Sequence, residues 1–212
     1  MPVPAHLSFE AAATLPIAGT TAWNAIRAAD VGPGSVVVLL GTGGVSILTL
    51  QLAKAAGATV VITSSSDEKL ERARALGADH LINYRTTPDW DTRVLELTDG
   101  VGADLIVETG GSATFARSVN AAAPGGTVFT IGFVTGAETT ANLLPIIVKA
   151  LRVVGNNTGS VSDLRDAARA IAAARIEPVI DTVYSQDQAA EAYAHMAAGG
   201  RHFGKLAFTL SW

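Results

Sequence analysis

The chain has no cysteine, only two methionines among its 212 residues, and an aromatic content of 6%. Without thiols, a disulfide framework and a cysteine-ligated metal centre are both excluded. Four histidines remain, His6, His80, His195 and His202, and no two stand at the H-x-x-x-H or H-E-x-x-H spacing that places two imidazoles on one helical face. They read as surface or capping side chains, and no metal site is expected. Charge is sparse as well: 15 Lys and Arg against 19 Asp and Glu give a net charge of -4. The basic residues are scattered, which argues against a nucleic-acid partner. No apolar run is long enough to span a membrane, although 49% of the residues are hydrophobic, and no charged segment followed by an apolar core opens the sequence. A cytoplasmic protein without a membrane partner is the expectation, with enough chain for one large domain or two small ones.

What is present is a strand that runs through a glycine turn into a helix. Val36 to Leu40 is an uninterrupted aliphatic run, suited to a parallel strand covered on both faces. After Gly41-Thr42-Gly43-Gly44 the period changes: Val45, Leu48, Leu52 and Ala55 share a helical face, and Gly57 supplies the stop. Glycines let the backbone turn tightly and approach a ligand, while the new helix aims unpaired N–H groups and the positive end of its dipole at the turn. The turn is therefore a candidate diphosphate cradle. Ser46 stands at the third small position in place of glycine or alanine. An apolar strand at Thr59 to Thr63 completes a βαβ unit.

The alternation continues. Ser65-Ser66-Asp67-Glu68 reads as a capping box opening a helix that ends at Gly77. His80 to Asn83 reads as strand, Trp90 to Thr98 as helix, Ala103 to Glu108 as strand, and Ser112 to Ala121 as helix. Gly126 to Ile131, Leu143 to Ala150 and Arg152 to Asn156 follow as strand, helix and strand. Six strands alternating with helices predict an α/β fold of Rossmann type, a doubly wound six-stranded parallel sheet with helices on both faces and ligands at the strands' carboxyl ends.

At the end of the second strand an acid that would grip the ribose hydroxyls of NAD is missing; the residues are Ile62-Thr63-Ser64-Ser65. Neutral hydroxyls there, with Lys69 one turn on and Tyr84 after the third strand, suit a 2'-phosphate and favour NADP over NAD. The bland alternative is that Ser65 caps, Lys69 is a solvated charge and Tyr84 packs.

Several segments together resemble the medium-chain dehydrogenase/reductase superfamily, in its zinc-binding-dehydrogenase-like and quinone oxidoreductase branches. They are Ala11 to Trp23 (AAATLPIAGTTAW), Gly41 to Val45, Gln51 to Lys54, Ser66 to Lys69, Leu76 to Asp79, Ile82 to Tyr84, Pro124 to Gly126 and Phe203 to Lys205. The resemblance covers essentially the whole chain. It implies a domain that binds NAD(P)(H) for an enzyme moving hydride between nicotinamide and a quinone, enone, carbonyl or alcohol. Carried over residue by residue, it implies that Thr21 approaches the nicotinamide-side phosphate or ribose, and that Gly41, Thr42, Gly43, Gly44 and Val45 hold the diphosphate. Ser64, Ser65, Lys69 and Tyr84 then lie at the 2'-phosphate, and Thr109 and Gly110 on the adenosine side. Ile131, Gly132, Phe133, Asn156 and Thr158 become wall contacts to nicotinamide.

The same resemblance implies a preceding catalytic domain of roughly 100 to 150 residues, which this sequence does not contain; Met1 to Leu7 resembles the linker out of it. Where zinc-dependent members carry a cysteine ligand, four positions before Thr21, stands Ile17, so the expected member is zinc-independent. No catalytic residue is assigned within the chain. Residues 1–178 are expected to form the dinucleotide-binding domain with its leading helix, and residues 179–212 a tail that packs on the absent domain. Val179, Ile180, Val183, Leu206, Phe208 and Leu210 would then be orphaned apolar positions, predicting a homodimer that meets through the tail or through strand six. A non-catalytic nucleotide-binding or interaction module of the same lineage is the alternative. A methyltransferase-like sheet is disfavoured, because it too would carry a ribose-binding acid after strand two.

Overall fold

A computed structural model describes residues 3–210. Six parallel strands, β1 (Val36–Leu40), β2 (Thr59–Ser64), β3 (His80–Asn83), β4 (Ala103–Glu108), β5 (Ala122–Thr130) and β6 (Arg152–Gly155), form one sheet in the order β3-β2-β1-β4-β5-β6. The order reverses between β1 and β4, where neighbouring crossovers leave in opposite directions and open a crevice at the carboxyl ends. This is the expected doubly wound sheet.

Its central strands are largely apolar along their whole length because both faces are covered. Val37 and Leu39 of β1 join Leu105, Val107, Phe129, Ile47, Leu50 and Ile171 on one side; Val38 and Leu40 join Ile106, Val128, Trp90 and Val94 on the other. After α1 (Phe9–Ala13), the first side is built by a π-helical turn (Leu15–Gly19), α2 (Thr20–Ala28), α3 (Gly44–Ala55), α4 (Asp67–Ala75) and, later in the chain, α8 (Val161–Ala173). Between α4 and α8 run α5 (Trp90–Leu97), α6 (Phe115–Ala121) and α7 (Leu143–Val148).

Three local readings are corrected. The predicted capping box at 65–68 is a single cap: Ser66, not Ser65, is the N-cap of α4, and its hydroxyl accepts from the N–H of Lys69 at 3.4 Å. The reciprocal half is missing because the third helical residue is a lysine, which has no acceptor. Full boxes occur at Ser160 with Asp163 and at Ser185 with Gln188. The helix expected from Ser112 begins only at Phe115, since Gly111 turns the chain at φ +88°. Strand five begins at Ala122 rather than Gly126, through an irregular register against Ala103 and Leu105.

The tail folds onto its own chain. β7 (Ile180–Ser185) and β8 (Lys205–Thr209) pair in parallel as a separate two-stranded sheet, with α9 (Ala189–Ala197) as the crossover. Phe203 is buried in the first core cluster. Gly204 bridges Gly43 and donates its N–H to the Thr42 carbonyl at 2.9 Å.

Candidate functional site

At the carboxyl end of β1 each glycine has a different task. Gly41 sits at φ +75°, left-handed backbone that only glycine adopts without strain. Gly44 makes room for its own protein: a Cβ there would stand 2.2 Å from Cδ of Lys205. Gly43 does neither. Its backbone is ordinary extended chain (φ -78°, ψ 176°), and a Cβ built on it has nothing within 4 Å. As the N-cap of α3 it has no side chain to satisfy the helix, whose first internal bond is from Ile47 N–H to the Gly43 carbonyl at 3.0 Å. The Gly44 N–H faces the Gly204 carbonyl across the Gly43–Gly204 bridge, so the N–H groups of Val45 and Ser46, which precede the helical ladder beside the open space at Gly43, are left in the pattern of an anion cradle. Ser46 does not break the motif, because its buried hydroxyl donates to the Leu40 carbonyl at 2.9 Å.

That carbonyl also accepts from the Thr109 hydroxyl at 2.9 Å, which ties β4 to β1 at the point where the strand order reverses. Gly110 and Gly111 are held in turn by Glu108, the last residue of β4, whose side chain is fully buried. Its Oε1 accepts from the N–H groups of Gly110 (2.7 Å) and Gly111 (2.9 Å) and from the Thr114 hydroxyl (2.6 Å). Its Oε2 accepts from the Ser118 hydroxyl. Sequence reasoning treated Glu108 only as a strand end; the available signal was an acid closing an apolar strand just before Thr-Gly-Gly. The loop after β5 is sewn to the same turn, since Thr135 donates to the Gly110 carbonyl from N–H (2.7 Å) and from Oγ1 (2.8 Å). Gly132 lies so close that a Cβ would be 2.1 Å from the Thr109 carbonyl oxygen, while Ile131 is half-buried and Phe133 is exposed.

The end of β2 holds the second group. Ser64 is buried and its hydroxyl accepts from Ser66 N–H at 3.3 Å; Ser65 is half-buried. Tyr84, exposed on β3's carboxyl side, donates its N–H to the Ser64 carbonyl at 3.0 Å. Lys69 is 9% exposed, and its ammonium donates to the carbonyls of Gly200 (2.5 Å) and His202 (2.8 Å) in the tail. Burial lowers its pKa from the usual lysine range, against the opposing attraction of Asp181. Burial likewise keeps His202 below the usual histidine value, helped by the neighbouring Lys69 and His195.

On the other side of the crevice, Thr21 is buried in α2. Asn156 and Asn24 both donate to the Thr158 carbonyl, at 2.9 and 3.0 Å, fixing the loop after β6. The hydroxyls of Thr130 and Thr158 are buried without a partner. Two orphaned hydroxyls, a glycine cradle open to a Cβ, and free helix N–H groups all suit a polar, phosphate-bearing ligand laid across the strand ends. Among the described residues no cluster of His, Asp and Glu could hold a metal ion, and Ile17 lies exposed on the π-helical turn.

The family model for zinc-binding dehydrogenases matches residues 44–173. A zinc-type alcohol dehydrogenase-like protein of Schizosaccharomyces pombe is 47% identical over 210 residues, covering 96% of this chain and 60% of that protein. A solved NAD-dependent alcohol dehydrogenase, 34% identical, superposes with a TM-score of 0.87 over 100% of this chain and 62% of its own. A 2-octenoyl-CoA carboxylase reductase solved with NADP and 2-octenoyl-CoA is 30% identical, with a TM-score of 0.88 over 99% of this chain and 52% of its own. The chain thus spans about 60% of the length of the curated relative. With the glycine turn, the switch point and the sheet order in place, the matches lead to one assignment: this chain belongs to the zinc-binding dehydrogenase family.

Proposed function

We propose that the chain is the NADP(H)-binding domain of a zinc-independent, cytoplasmic oxidoreductase that transfers hydride between nicotinamide and a quinone, enone, carbonyl or alcohol. The observation that carries the reading is the cradle at Gly43, open where a side chain would stand and flanked by the first-turn N–H groups of Val45 and Ser46 in α3. In this reading Gly41 to Val45 hold the diphosphate. Ser64, Ser65, Tyr84 and the remaining donor of Lys69 face the ribose 2'-position, Thr109 and Gly110 bound the adenosine, and Thr21, Ile131, Gly132, Phe133, Asn156 and Thr158 wall the nicotinamide. The bound dinucleotide supplies the hydride, or accepts it. The protein's own part is to orient the ring and exclude water: Glu108 and Thr135 keep the two loops rigid, and the Thr158 hydroxyl offers an unpaired polar atom. Absence of cysteine and Ile17 at the position of the family's cysteine ligand support a zinc-independent site. Residues 1–178 would form the nucleotide-binding unit and 179–212 an appended one.

Titration with NADPH tests this directly. Saturating cofactor should raise the melting temperature by several degrees, and about 2.7 kcal/mol of stabilisation is expected at a concentration 100 times Kd. A panel of quinones and enals, read by NADPH oxidation, then separates the oxidoreductase from a module that binds without turnover. No thermal shift with either NADPH or NADH refutes both.

We further propose a homodimer formed through β6 and α7. β6 is an open edge of the sheet, and α7 exposes Leu143, Leu144, Ile147 and Val148 with no buried residue. An edge strand flanked by an apolar surface of this kind is seldom left in water. Sedimentation at micromolar concentration should give a dimer that Ile147→Asp converts to monomer; a monomeric wild type overturns the assignment.

A further inference from the structure

The segment 200–205 crosses the corner where β1's glycine turn meets the first turn of α4, and four contacts fasten it there. Gly204 bonds to Thr42 and lies against Gly43; at φ +80° it has no room for a side chain, since a Cβ would be 2.5 Å from the Val179 carbonyl oxygen. Phe203 is buried beneath the Arg72 guanidinium, 4.3 Å from its ring centroid, and Arg72 is paired with Asp181 at 3.0 Å. The fourth fastening is Lys69, whose ammonium reaches the carbonyls of Gly200 and His202.

An ammonium has three N–H donors, and two of these are engaged by the tail. We propose that the C-terminal strap sets cofactor choice by competing for Lys69: the Gly200 and His202 carbonyls hold the ammonium that a 2'-phosphate would recruit, so discrimination between NADPH and NADH is weak. The inference rests on the nucleotide reading above and concerns only the strength of its preference. Competition is reciprocal: whatever the strap costs NADPH, NADPH must cost the strap by the same factor, whereas NADH leaves it fastened.

The test compares dissociation constants of NADPH and NADH, by calorimetry, for the wild type, Lys69→Met and Gly200→Val. Gly200 sits at φ +57°, and a Cβ there meets nothing within 4 Å, so a β-branched residue is strained by the backbone conformation and is expected to displace the carbonyl from Lys69. The wild type should prefer NADPH by about tenfold or less, the low end of what one charge-assisted hydrogen bond provides. Lys69→Met should bring the ratio to about one, and Gly200→Val should raise it about fivefold over the wild type, within the usual range of coupling between sites. NADPH, but not NADH, should accelerate amide hydrogen exchange in residues 200–204. A wild-type preference of about 100-fold or more, as expected of an uncontested ammonium, overturns the strap's role, as does a ratio unmoved or lowered in Gly200→Val; the nucleotide reading survives either. Binding of neither cofactor overturns that reading and this inference together.

Discussion

Gly43→Val should abolish dinucleotide binding and leave the protein folded. The separation of the two effects is what makes this position informative. Gly41 cannot serve, because its φ of +75° strains any other residue, and Gly44 cannot, because a Cβ would first meet Lys205. At Gly43 the backbone is in the β region, where a β-branched residue is at ease, and no protein atom lies within 4 Å of the added Cβ. The helix loses little, since glycine at an N-cap offers no side-chain acceptor and its replacement costs about 1 kcal/mol at most. Valine would occupy the space between the α3 N–H groups and the diphosphate. The expected loss is at least 100-fold in affinity, which is about 2.7 kcal/mol. Thermal scans decide it: the variant's melting point without cofactor should lie within about 4 °C of the wild type, at about 2–4 °C per kcal/mol for a chain of this size. Saturating NADPH should no longer raise that melting point. A full cofactor-induced shift in Gly43→Val would mean that the cradle lies elsewhere.

The second large effect is on stability. Glu108→Ala should cost about 3–5 kcal/mol, because two backbone N–H groups and two hydroxyls lose their acceptor inside the protein, each orphan costing about 1–3 kcal/mol. The hydroxyls of Thr114 and Ser118 can turn toward other acceptors, while the N–H groups of Gly110 and Gly111 cannot, since Gly111 is held at φ +88° in a turn so tight that a Cβ there would stand 2.3 Å from the Gly136 carbonyl oxygen. Most of the cost therefore falls on those two amides. Glu108→Gln keeps Oε1 as an acceptor for three of the four donors and should cost only about 1–2 kcal/mol, the difference between a charge-assisted and a neutral set. Urea unfolding with an unchanged m-value measures both. If alanine is tolerated within 1 kcal/mol, the carboxyl group is not what holds the β4 turn.

The nucleotide half of the architecture was legible because its signals are local and repeated. An aliphatic run covered on both faces, a glycine turn and a switch to helical period can be seen in twenty consecutive residues, and β3 and β4 were bounded correctly for the same reason. The errors were also local in origin. Three consecutive serines, Ser64 to Ser66, offer three registers for a helix cap, and only the backbone leaving the β region at Ser66 selects one. Gly111 and the Ala103–Leu105 irregularity moved element ends by a few residues through backbone conformation that no side-chain pattern records.

The sequence by itself determined the doubly wound parallel sheet and marked its strand ends as the expected place for a ligand, since burial on both faces and glycine punctuation are written residue by residue; the strand order came from the fold. Tertiary structure alone decided what the polar groups at that place are doing. Lys69 meets carbonyls more than 130 positions away, Gly44 yields to Lys205, and β7 finds its partner in β8. The identity of these partners depends on how the chain returns over itself. A charged or hydroxyl side chain is compatible with solvent, with a ligand or with another strand's carbonyl, and only the fold says which of them is within 3 Å of it.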